Sequence, residues 1–317
     1  MDSQPEYRIE ELTPDLGRLR IAFVNVYLSG RPGVPNDWVL IDAGLAMGAA
    51  QILSVAADRF GDDARPAAIV LTHGHFDHVG ALEPLLAVWD VPVYAHPLEL
   101  PFLTGRADYP PPDPTVGRGL MARLSPLFPE RGIDLGDRVR ALSPSGAVPG
   151  MPGWRWIHTP GHSPGHVSLF RASDRTLVSG DALTTTRPES VFTVATQREE
   201  INGPPSYFTI DWTKARRSVQ ALASLHPALV AAGHGTPMHG PMVANQIGAL
   251  ARDFDQRARP RRGRYVGTPA VTDEQGVVSL PPPRAAGIRW GMLSGVAAAA
   301  FAGTWLFRRF GRHSNSA

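Results

Sequence analysis

Thr72 to His78 reads THGHFDH, which places three imidazoles and a carboxylate within six consecutive positions, His73 to His78. Donors crowded this closely call for a bound cation. The preceding run, Ala67 to Leu71, is apolar and β-branched, and predicts a buried strand that ends just before His73. Residues two apart at a strand end project to the same side, so His73 and His75 converge. After the heptad, Val79, Leu82, Leu85, Leu86 and Trp89 recur at helical spacing, which puts Asp77 and His78 at a helix start and facing another direction. Donors arriving from two directions suit two adjacent ions better than one. Neutral imidazole and carboxylate are ligands for zinc, iron or manganese.

One heptad does not close a two-ion site, and three downstream residues stand in suitable settings. His162 follows the aromatic and β-branched run Trp154 to Ile157 and lies inside a Gly/Pro turn that ends at His166. Asp181 follows Thr176 to Gly180, and His234 follows Ala228 to Gly233 in a Gly-His-Gly turn. Strand, glycine, ligand is a repeated device, and the glycine leaves room for an ion beside the backbone.

The order THxHxDH, TPGH, GD, GHG, from Thr72 to Gly235, resembles that of the metallo-β-lactamase superfamily. Its spacing is similar to the hydroxyacylglutathione hydrolase and lactonase branches, and the likeness spans roughly Glu10 to Arg259. The resemblance implies an α/β fold, a four-layer αββα sandwich of two facing mixed sheets with the metals at one sheet edge. It implies that His73, His75 and His162 hold one divalent ion, that Asp77, His78 and His234 hold a second, and that Asp181 bridges them. Zinc is the first choice of metal, with iron or manganese as alternatives. Leu40 to Gly44 is similar to the family's first motif, which makes Asp42 the carboxylate that supports a ligating histidine from behind. The chain has no cysteine, so the Cys ligand that marks some true β-lactamases is excluded. The remaining histidines, His166, His96, His158, His226 and His239 among them, read as surface or hydrogen-bonded residues.

At 317 residues, 43% hydrophobic and 19% charged, the chain is long enough to bury a large core. Without cysteine it forms no disulfide. Its start is polar and acidic and lacks the basic and apolar stretches of a signal peptide, so the catalytic part is expected in the cytoplasm. Strands are expected near 18–27, 38–42, 67–71, 91–96, 154–158, 167–171, 176–179 and 228–232. Helices are expected over 48–60, 79–89, 211–225 and 240–257. Two segments should shape the pocket. Leu100 to Gly132 carries a proline cluster and an amphipathic stretch through Leu120, Leu124 and Leu127, which reads as a lid or a packed insertion. In the second segment, Tyr207 either donates to a developing oxyanion, as the likeness to lactonases implies, or is a buried core aromatic.

These features favour metal-dependent hydrolysis, in which a hydroxide shared by two ions attacks an ester, thioester or lactone carbonyl of a small acyl substrate and Asp77 helps to handle the proton. The same donors serve persulfide oxidation with a single iron, or phosphodiester cleavage. Nucleic acid as a partner has only the short basic stretch Arg257 to Arg264 in its favour. The catalytic domain is expected over residues 1–259, with an Arg/Pro/Gly-rich wrap or linker at 260–283 and a hydrophobic C-terminal segment at 284–317. Within the last, Trp290 to Phe307 is uncharged and would reach about 27 Å as a helix, which makes it a candidate membrane anchor.

Overall fold

Short β-branched runs assemble into two sheets that face each other in the computed structural model, which describes residues 8–284 apart from 118 and 197. The first sheet runs in order β1 (Glu10–Thr13), β2 (Leu16–Ile21), β3 (Val24–Ser29), β4 (Val39–Ile41), β5 (Ala68–Val70), β6 (Val93–Ala95) and β7 (Val139–Ala141). It is antiparallel as far as β4 and parallel from there to β7. The second comprises β8 (Trp154–His158), β9 (Val167–Arg171), β10 (Thr176–Gly180), β11 (Leu229–Ala232) and β12 (Met238–His239), in spatial order β12-β11-β10-β9-β8. Only β10 and β11 pair in parallel there.

Three apolar clusters show the layering. Leu16, Tyr27, Ile41 and Val70 of the first sheet meet Val167, Leu169, Val178 and Ala231 of the second. On the outer face of the first sheet, Leu40, Ile69 and Val93 pack on Ile52 and Val55 of α1 (Ala49–Phe60) and on Leu82 and Leu85. These two leucines belong to α3 (Leu82–Val88), which follows the single turn α2 (Phe76–Val79). Short helices α4 (Leu100–Leu103), α5 (Leu120–Leu124) and α6 (Val191–Thr196) lie in the connections. On the outer face of the second sheet, Phe170, Leu177 and Val230 pack on Val219 and Leu222 of α7 (Trp212–Ala223) and Ile247 of α8 (Pro241–Arg252). The architecture is αββα.

Several elements differ from the sequence expectation. The strand expected over 18–27 is a hairpin, because Ala22 adopts a left-handed φ of 55° and turns the chain between β2 and β3. The helix expected over 79–89 is interrupted between α2 and α3, where a side chain at Gly80 would lie 2.5 Å from the Ala46 nitrogen. The helix expected over 240–257 breaks at Asp253, after which α9 (Phe254–Arg257) begins. In the segment from Leu100 to Gly132, two leucines of the amphipathic stretch face outward: Leu120 and Leu127 are 47% and 75% exposed, and Ala122, Met121 and Phe128 face inward.

Residues 260–284 pack back on the chain. In α10 (Arg264–Gly267), Tyr265 is buried and donates its hydroxyl to the Pro111 carbonyl, and Asp113 accepts the Arg264 backbone N–H. A small hairpin, β13 (Val271–Asp273) and β14 (Gly276–Ser279), follows. Within 265–271 the first three residues are helical and Val271 opens the strand. Among the described residues no helix is long and apolar enough to cross a membrane, and the anchor expected at Trp290 to Phe307 lies outside them.

Candidate metal centre

Strand register gathers the donors at one end of the sandwich. Ile41 pairs with Val70, so the loops after β4 and β5 leave side by side with Asp42 next to Thr72 and His73. Gly180 pairs with Ala232, which brings Asp181 beside the Gly233-His234 turn. His162 sits in the connection between β8 and β9, whose base is closed by the Thr159 N–H to the His166 carbonyl at 2.8 Å. Two backbone bonds tie the sheets together at this end, from Val167 N to the Thr72 carbonyl (2.9 Å) and from Asn25 N to the Gly233 carbonyl (2.8 Å).

All seven sequence-predicted ligands are buried and meet. Three overlapping groups, His73-His75-His162, His73-His78-Asp181 and Asp77-His78-His234, each offer ligand atoms within 4.8 Å of one another. Asp181 lies between the sides of the cluster, with Oδ2 3.5 Å from His162 Nε2 and 3.2 Å from His234 Nε2, and Oδ1 3.6 Å from His78 Nε2. His73 Nε2, His78 Nε2, His162 Nδ1 and Asp181 Oδ1 are buried with no hydrogen-bond partner. Buried polar atoms are nearly always satisfied, so four orphans in one cluster fit cation donors. These side chains suit a pair of divalent ions.

The electrostatics split along the same line. Burial and the surrounding imidazoles hold His73 and His162 well below the usual histidine range, and burial, reinforced by His78, lowers His75 to about 3. For His78 and His234 burial works against protonation, but the Asp181 carboxylate, aided by its neighbours, carries His78 well above the usual range and His234 to about 9. One side is three neutral imidazoles, and the other is a carboxylate-rich nest.

A second ring of contacts orients these donors. Asp42, in a left-handed conformation at φ 59°, accepts from Thr72 N (2.7 Å) and Thr72 Oγ1 (2.8 Å) and holds His78 Nδ1 at 2.8 Å. Asp and Asn are the residues besides glycine that tolerate this region, and the turn aims the carboxylate at both loops. The sequence reading placed Asp42 behind a ligating histidine, and the one it touches is His78. His166 is wholly buried and hydrogen-bonded: its Nε2 accepts from Asp181 N at 2.8 Å and its Nδ1 lies 2.8 Å from Thr159 Oγ1. It thus fixes the backbone of the shared carboxylate. Two residues escaped the sequence reading. The Phe23 carbonyl, in the hairpin turn, takes His234 Nδ1 at 2.9 Å. Asn25 Nδ2 donates to the Ala232 (2.8 Å) and Gly235 (2.7 Å) carbonyls on either side of His234.

Above the donors stands an apolar wall. Phe208 lies 4.7 Å from the His75 ring and 6.4 Å from His162, and it packs with Phe76, Phe128 and Tyr207. Tyr207 is buried in this cluster and packs on Phe208, the ring that faces His75. Burial, then the Asp77 carboxylate, holds its hydroxyl well above the usual tyrosine range, so it keeps its proton.

With that geometry in view, residues 20–234 match the family model described as Metallo-beta-lactamase superfamily. The chain belongs to the metallo-β-lactamase superfamily. A relative named probable metallo-hydrolase YflN, from Bacillus subtilis, is 48% identical over 233 residues, covering 74% of this chain and 88% of the relative. Among solved structures, the Rm3 metallo-beta-lactamase superposes with a TM-score of 0.54 at 20% identity, covering 78% of this chain and 93% of that one. A beta-lactamase domain protein from Burkholderia ambifaria gives 0.54 at 22% identity, covering 80% and 75%. At those identities the two structures speak for the shared superfamily fold alone.

Proposed function

We propose that this superfamily member is a two-ion metallo-hydrolase acting on the ester, thioester or lactone carbonyl of a small acyl substrate. The observation that carries the reading is the overlap of three donor groups around Asp181, with four buried atoms left without hydrogen-bond partners. In it, His73, His75 and His162 hold one ion, Asp77, His78 and His234 the other, and Asp181 serves both. Zinc is the favoured metal, and iron or manganese fits the same donors. Two bound dications supply the acidity that ionises water near neutral pH and the field that polarises a carbonyl.

The chain's own residues do the rest. Asp77 is buried among the donors, and its carboxylate is the group assigned to take up a proton during the addition. The Tyr207 hydroxyl donates to the substrate oxygen as negative charge builds there. The wall of Phe76, Phe128 and Phe208 excludes water and receives an apolar acyl group. Polyanionic nucleic acid fits this surround poorly. In the basic stretch, Arg259 is engaged by Asp255 and the Val266 carbonyl, and Arg264 by the Pro281 carbonyl.

The test is metal analysis of the full chain together with turnover of a panel of thioesters, lactones, β-lactams and phosphodiesters. Two ions per chain and carbonyl hydrolysis are expected. A single iron without hydrolysis moves the reading to persulfide oxidation, and phosphodiester turnover alone moves it to a nuclease.

A further inference from the structure

Glu99 is a carboxylate at 0% exposure with no cationic side chain within ion-pair distance among the described residues. It stands at the start of α4, in an otherwise apolar run from Leu98 to Leu103. An isolated charge in such a place costs several kcal/mol unless hydrogen bonds replace its water. Four donors do so. Oε2 accepts from Gly74 N at 3.0 Å and from the Tyr109 hydroxyl, while Oε1 accepts from Ser163 Oγ at 2.7 Å and Gly165 N at 2.7 Å. Gly74 lies between His73 and His75, and Ser163 follows His162. One carboxylate therefore clasps the two loops that carry the three-histidine group, without touching a ligating side chain.

The glycines around it give independent support. A Cβ at Gly74 would lie 2.4 Å from the Tyr109 hydroxyl, and one at Gly165 would lie 2.8 Å from both Cγ and N of Glu99. Real Cβ atoms do not sit that close, so both glycines are required for the clasp to close. The residue between the two histidines is thus explained by Glu99 and Tyr109 rather than by the ion.

We infer that Glu99 is a positioning residue which sets the spacing of His73 and His75 against His162, and so the affinity of the ion those three hold. The inference rests on the two-ion reading above. Asp42 and Asn25 brace His78 and His234, whereas Glu99 reaches only the other side, so its removal acts on one ion and spares its neighbour.

The experiment titrates the metal-stripped full chain with Zn2+ against a chromophoric chelator, comparing wild type with Glu99→Gln, and uses His75→Ala to mark which binding step belongs to the three-histidine group. The amide nitrogen opposes one of the two backbone N–H donors, Gly74 or Gly165, which forces the loops apart. The marked step should weaken about 10 to 100-fold, the scale seen when a partner that orients ligands is lost, while the other step stays within about threefold. Should Glu99→Gln not fold, Tyr109→Phe and Ser163→Ala each remove one of the four donors, and each should weaken the same step by a smaller factor. Equal weakening of both steps in a folded variant shows a merely structural role and overturns the inference, as does no change in either. A wild type that binds one ion defeats the two-ion reading instead. In that case Glu99 stands or falls on whether the variant weakens that ion.

Discussion

Asn25→Ala should cost the metal-free protein about 3 kcal/mol and loosen the grip on the ion near His234. Asn25 is 1% exposed, and its side chain makes three hydrogen bonds. The bonds have unequal worth. The Ala232 carbonyl keeps a second donor, the Tyr27 hydroxyl at 2.6 Å, so losing Asn25 there costs little. The Gly235 carbonyl loses its side-chain partner, which costs about 1–3 kcal/mol for a buried group. Arg18 Nε loses its 2.9 Å acceptor while NH1 keeps Glu10, which costs about 1.5 kcal/mol for one charged hydrogen bond. Urea unfolding of the metal-free chain reads the sum, and on heating it should appear as a fall in Tm of about 4–6 °C for a chain of this size. Asn25→Asp separates the causes. It keeps the shape but points an oxygen at two carbonyls, so it should destabilise at least as much as alanine if hydrogen bonding is the origin. A near-neutral Asn25→Asp, or an Asn25→Ala loss below about 1 kcal/mol, refutes the argument.

Asp181→Asn should release metal and abolish turnover, because an amide cannot offset the positive charge of bound metal, and metal content of the purified variant checks this. Gly233→Ala places a Cβ 2.2 Å from Asp181 Oδ1 and 2.8 Å from His78 Cε1, so metal binding should fail there although the substitution adds one methyl group. Asp42→Asn should weaken the ion held by His78 about 10 to 100-fold in the same chelator titration. The stability of the metal-free chain should peak near pH 6.5. His75 and His166 at about 3 and His96 at about 4 are depressed by burial, so between pH 6.5 and about 5 the unfolded chain binds more protons and stability falls with acid. The raised His78 and His234 act in the other direction: their contribution is complete below about pH 6.5 and is lost as pH rises through about 9 for His234. Asp77 and Glu99, whose carboxyls burial raises, soften the acid limb, but fewer groups oppose it than make it. Urea midpoints across pH 5 to 9 check the profile, and a monotonic rise with pH contradicts it.

His73, His162, Asp181 and His234 were legible because each follows an apolar run and has glycine beside it, and Asp77 and His78 because they open the helical pattern that follows, local signals that survive without knowledge of the partners. The layered α/β fold was legible for the same reason, since strands such as Trp154–His158 and Val167–Arg171 end where their β-branched runs end. Boundaries failed where long-range contact overrode local preference. Nothing in Ile21-Ala22-Phe23-Val24 marks a turn, yet the chain turns there and so delivers the Phe23 carbonyl to His234, a partner 211 residues away. The direction of the 120–127 stretch was not legible, because helical spacing identifies a stripe without saying which side faces the core; Phe128 packs on Phe76 and Tyr207. The residues that orient the donors were harder still, because their partners lie in other loops. They do share one trace in the sequence. Asn25 interrupts the run from Val24 to Leu28, and Glu99 interrupts the run from Leu98 to Leu103, each as a single polar group in an apolar setting. Burying such a group is costly unless every donor or acceptor is met, so a solitary polar residue inside a core-forming segment implies a partner elsewhere. Here the partners of both include backbone on the loops that carry the clustered histidines.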